Sequence, residues 1–142
     1  FGSATDWQTS EGGDRYRRGL YTTWRRSNPY PSMATFDAPN REVCTVRRSR
    51  TNTPLQALVT LNDPVYVEAA QALGREMVAK GGESVSDKIG YGLRHALIRQ
   101  PKEEEVSRLS ALYQNAYDDF SASPEDAKQM AEDPLGPIPE GL

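Results

Sequence analysis

The chain has 142 residues, a net charge of −3, 37% hydrophobic residues, and a single cysteine and histidine. The length suits one domain that buries roughly 68% of its unfolded surface. The lone cysteine excludes an internal disulfide, a four-Cys zinc site and the CxxCH attachment of a covalent haem, and no run approaches the ~18 apolar residues of a membrane-spanning helix.

No secretory leader is visible, and the first residue is Phe rather than Met; the chain is expected to be a piece of a longer protein. Charge is unevenly placed. Residues 1–54 hold nine arginines, no lysine and five acids, and residues 55–142 hold eight bases and fifteen acids. A face built to collect phosphate usually mixes in lysine. Arginine alone suits bidentate pairing and stacking on aromatics, so neither nucleic acid nor membrane insertion is expected.

Taken in chain order, residues 1–13 read as a peripheral arm with Trp7 as its anchor. Leu20–Trp24 alternates β-forming residues between arginine pairs, which favours a short strand. A helix capped by Asp14 is the rival, because Tyr16, Leu20 and Trp24 also fall four apart. Three prolines in residues 27–39 require an extended or turned path, and Arg41–Arg48 suits a second short strand. Helices then follow at 54–61, 64–80, 85–99, 102–120 and 124–131. Thr53-Pro54-Leu55-Gln56 is an N-cap, a proline at the first helical position and a glutamine at the third, the capping-box pattern. Asn62-Asp63-Pro64 ends that helix and caps the next; Ser123-Pro124 repeats the device and Gln100-Pro101 is a weaker case. Residues 133–142, rich in proline and glycine, read as an irregular, mostly exposed tail. The fold class is mainly α: four to five helices with a small extended or two-stranded arginine-rich head, organised as one domain over 14–132 (head 14–53, helices 54–132).

The quoted stretch "FDAP" (Phe36, Asp37, Ala38, Pro39), with "RR" at Arg47–Arg48, "TPLQAL" at Thr53–Leu58, "LNDP" at Leu61–Pro64 and "VEAA" at Val67–Ala70, resembles the C-terminal planctomycete-specific domain of large planctomycete proteins. That domain is of unknown function and typically follows a cytochrome-c-like domain and another domain of unknown function. The resemblance implies an exported protein working outside the cytoplasm, with any haem in another domain and no cofactor in this chain. It carries no catalytic residues. It also implies a further apolar helix beyond this chain's last residue, so an under-covered stripe is expected near Leu73, Met77, Leu109 or Leu112.

Two readings of the arginines stand. Arg41, Arg47, Arg48 and Arg50, with Arg25 and Arg26, form an anion or interdomain contact, or they hold Asp37, Glu42, Asp63, Glu68 and loop carbonyls as framework, with at least one of Arg47 and Arg48 bonded. Trp24 and Tyr30, with Phe36, either face a sugar or pack the proline-rich loop. Cys44, between Val43 and Val46, reads as a small buried hydrophobe, although neighbouring arginines would lower a thiol's pKa. His95 reads as a half-buried helix residue with no second ligand, so no metal is expected. Glu103–Glu105 reads as a solvated first turn. The expected function is a non-catalytic interaction module whose partners are other domains or cleaved segments of the parent, or an anionic polysaccharide. The alternative is part of an enzyme site for polysaccharide or redox chemistry, completed by another domain.

Overall fold

The computed structural model describes residues 8, 10, 12–25 and 27–142; Trp7 and Arg26 lie outside them. The chain is mainly helical; among the described residues there are six α-helices and no strand. They are α1 (Pro31–Thr35), α2 (Pro54–Asn62), α3 (Pro64–Lys80), α4 (Val85–Leu97), α5 (Glu103–Ala122) and α6 (Pro124–Glu132). Two compact units divide the chain, 1–59 and 60–142, and each is described by itself.

The unit at 1–59 corrects both strand expectations. Gly12–Tyr16 and Gly19–Tyr21 are 3-10 turns, and 41–50 is an exposed loop of bends. β-propensity expresses itself only where a neighbouring strand and a buried face exist; neither segment has one. Cys44 is therefore exposed rather than buried, as are Val43 and Val46. The proline-rich stretch holds one unforeseen element, α1, started by Pro31 at its first turn. It ends in a Schellman cap: the Ala38 N–H donates to Met33 O at 2.9 Å and the Asp37 N–H to Ala34 O at 3.3 Å. Asp37 occupies the left-handed position of that cap, φ 61°, which aspartate tolerates better than most residues. "FDAP" is thus a helix stop, with Pro39 just beyond it.

The unit at 60–142 follows the expected helices closely, with α4 ending two residues early at a left-handed Ile98, φ 54°. Asp63 caps α3 by accepting from the Val65 N–H at 3.0 Å. Ser84 caps α4 by accepting from the Asp87 N–H at 3.0 Å. Ser123 makes no side-chain cap: the same residue closes α5 and opens α6, and its backbone is turned accordingly (φ −135°, ψ 75°). α3 packs on α4, α4 on α5 and α5 on α6. Gly92 permits the first of these contacts, since a Cβ there would lie 2.6 Å from Met77 Sδ. Among the described residues Ile89, 6% exposed, is the one apolar side chain that is buried. Leu109 and Leu112 are exposed and Leu73 and Met77 half-buried. No described helix is long and apolar enough to cross a membrane.

Candidate functional site

The arginine loop of the first unit is built on a polar knot. Gln56, 7% exposed, forms the capping box: its N–H donates to Thr53 Oγ1 at 3.3 Å, and its Oε1 accepts from the Thr53 N–H at 3.1 Å. Its Nε2 donates outward to Thr35 O at 2.9 Å and Thr51 Oγ1 at 3.0 Å. Thr51 in turn donates its N–H to Asp37 Oδ2 at 2.7 Å, and its hydroxyl lies 2.9 Å from both carboxylate oxygens. The Asp37 carboxyl is held below its ordinary value, first by the Thr51 N–H, then by the Thr51 hydroxyl, with Gln56 and the charge of Arg48 contributing less. Positions 37 and 51 are thereby joined, and residues 41–50 project as a loop between them.

On that loop Arg41, Arg47, Arg48 and Arg50 are exposed. Among the described residues Arg47, Arg48 and Arg50 make no hydrogen bond or ion pair. Asp37, one of the acids these arginines were expected to hold, is held by Thr51, which Gln56 supports in turn. Glu42 is bound by Asn40, whose Nδ2 donates to it at 3.0 Å. Arg41 lies over the Trp24 ring, 5.4 Å from its centroid, and Trp24 Nε1 donates to Asn40 O at 3.3 Å. Arg25 is exposed but engaged; Tyr30 is half-buried and caps α1. Phe36 is half-buried at the end of that helix.

The second unit carries a groove of about 640 Å³ along α3. Ala70, Gly74, Met77 and Val78 of α3 line it, with Val85, Lys88 and Ile89 of α4, Tyr113 of α5, Met130 of α6, and Ile138 and Leu142 of the tail. The tail wall is held by two α3 side chains one turn apart. Gln71 Nε2 donates to Met130 O at 2.6 Å and Asp133 O at 2.7 Å, and its Oε1 accepts from the Leu135 N–H at 3.1 Å. Arg75 donates to Ala131 O at 3.0 Å, Pro137 O at 3.2 Å and Gly136 O. Residues 133–142 are irregular as expected, yet Pro134, Leu135 and Gly136 are half-buried rather than exposed. Proline and glycine forbid helix there but do not forbid a side chain from satisfying the bare carbonyls. Nothing local in the sequence marks Gln71 or Arg75 as the clamp, since their partners lie more than fifty positions away.

Other ionisable residues of the second unit make local pairs. Glu105 is not a solvated first-turn acid. It takes both Arg99 amino groups, Nη1 at 2.9 Å and Nη2 at 2.5 Å, and the Lys102 N–H at 2.9 Å. Lysine has no acceptor, so only this returning half of a capping box forms. These bonds, Arg99's first, bring the Glu105 carboxyl down to about 2. His95 is exposed, stacked on Tyr91 with centroids 6.0 Å apart, and its Nε2 is 3.9 Å from Glu76. An open hollow beside α6 gathers Glu125, Asp126, Glu132 and Asp133. Among the described residues no three His, Cys, Asp or Glu side chains are placed to hold a metal ion.

No curated protein and no solved structure gives a significant match to this chain. The family model described as PSD1, protein of unknown function (DUF1553), matches residues 2–113, and the chain belongs to that family.

Proposed function

We propose that the chain is a non-catalytic interaction module and that the loop at 41–50 is its contact surface for an anionic partner. One observation carries this reading: Arg47, Arg48 and Arg50 are exposed and make no hydrogen bond or ion pair among the described residues, Arg48 acting on Asp37 through its charge alone, on a loop whose ends are tied by Asp37 and Thr51. A guanidinium left free offers its planar fork to a carboxylate or sulfate, and tying the loop's ends lowers the ordering cost of binding. Arg41 on Trp24 adds an aromatic of the kind that sugars stack on. The ionisable side chains of the α3 groove, Arg75, Lys88 and Tyr113, include no carboxylate to pair as acid and base.

The resemblance to planctomycete domains extends the reading. The parent is an exported, cytochrome-c-like multidomain protein, its haem sits in another domain, and the partner is either an acidic surface of a neighbouring domain or a carboxylated polysaccharide. Retention on immobilised polygalacturonate tests the contact. The chain should bind in low salt and elute as salt rises, and R47A/R48A/R50A should elute markedly earlier with an unchanged melting temperature. Equal retention of the triple variant would remove the loop from the proposal. Added haem should give no Soret band, and a stoichiometric complex through His95 would count against the non-cofactor role.

A further inference from the structure

We infer that the α3 groove of the second unit binds an amphiphilic carboxylate, an aliphatic chain ending in an anionic head. Three observations converge. The volume, about 640 Å³, lies within the roughly 300–1,000 Å³ of small-molecule sites. The walls are apolar, supplied by α3, α4, α6 and the tail, with Met77 and Met130 able to adapt to a flexible chain. The charged side chains of the lining are cationic only, Arg75 and Lys88. This occurs in a unit whose residues 60–142 carry fifteen acids and eight bases.

Lys88 identifies the head. It is half-buried and has no hydrogen-bond or ion-pair partner among the described residues. It stands three residues after Val85 and one before Ile89, so the ammonium and the apolar wall share one end of α4. An unpaired lysine lining an apolar groove is matched by a carboxylate, which supplies both the charge and the acceptor. Arg75 is committed through both amino groups to tail carbonyls, while its Nε is buried and unpartnered. Gly74 opens the floor, since a Cβ built there meets nothing within 4 Å.

Calorimetric titration of the whole chain with dodecanoate, below its micelle concentration, tests the inference. Saturable 1:1 binding is expected, with 1-dodecanol about tenfold weaker for want of the charge. Lys88→Met should erase that difference by weakening dodecanoate alone. Gly74→Leu should abolish binding of both, filling the groove while improving helix propensity, with circular dichroism reporting an intact fold. Absence of saturable binding by the folded chain, or a Lys88→Met variant that binds dodecanoate as before, overturns the inference. So does a dimer in solution whose groove stays closed to dodecanoate, which would assign the face to a second copy.

Discussion

The unit at 1–59 and the unit at 60–142 are organised by different forces. In the first, the central side chain is an amide: Gln56 joins the start of α2 to the end of α1 and to Thr51, and Thr51 joins it to Asp37. In the second, side chains cap α3 and α4 and the helices pack pairwise, with Ile89 buried and much of the apolar surface turned to a groove. A hydrogen-bonded knot is specific and brittle, because each bond needs its partner in place and an orphaned group is costly. Apolar packing is tolerant and spreads a loss over many contacts. The two units should therefore fail differently.

The sharpest way to break that contrast is Gln56→Ala. It orphans Thr35 O, the Thr51 hydroxyl and half of a capping box, and should cost about 2–4 kcal/mol. Urea unfolding with hydrogen exchange across 31–58 measures it; a loss under about 1 kcal/mol would mean that the knot is not the organiser. Arg75→Ala comes next. Removing its carbonyl bonds should cost about 1–2 kcal/mol, concentrated in the tail, and hydrogen exchange of 131–137 should rise while α4 and α5 keep their protection. Uniform loss across the second unit would erase the proposed tolerance.

Acid gives a smaller, signed effect. Glu105 sits at about 2 when folded against an ordinary 4.5, so the unfolded chain takes up the proton first. Its contribution is complete above 4.5 and is lost as pH falls toward 2. Asp37, also lowered from its ordinary value of 3.8, acts in the same direction. Glu105→Gln should flatten the acid limb of a thermal-stability profile, and an unchanged limb would show that the Arg99 pair does not persist in solution. The smallest effect belongs to Arg47→Ala and Arg48→Ala, expected within about 0.5 kcal/mol of native as exposed, unpaired residues. A clear drop in melting temperature for either would return them to the framework.

The helices from α2 onward were legible because each announces itself locally. A proline in the first turn with a capping residue before it marks α2 and α3, and four-residue apolar spacing marks α4 and α5. Thr53 and Gln56 were readable as a capping box, and Met77, which lines the groove, was expected on an under-covered stripe. What stayed hidden depends on distance. Leu20–Trp24 and Arg41–Arg48 carry strand-forming residues without a partner strand, which no local pattern reveals. Asp37 reaching Thr51, Gln56 reaching Thr35 and Arg75 reaching the tail are pairings between residues that composition leaves ordinary. Lys88 was invisible as a site residue, since a lone lysine on an amphipathic helix reads as solvent-facing.

The grip of Gln71 on Leu135 bridges 64 positions and encloses α4, α5 and α6 in a non-covalent ring. A peptide bond inside that ring is not its sole means of closure. The turn after α4, where Ile98 is 91% exposed, offers a place for a protease to cut. A single nick there should yield two fragments that travel together through a native gel and separate in denaturant. Expressed apart, the α3–α4 and the α5–α6–tail segments should reassemble on mixing, so that half of the unit becomes bait for the other.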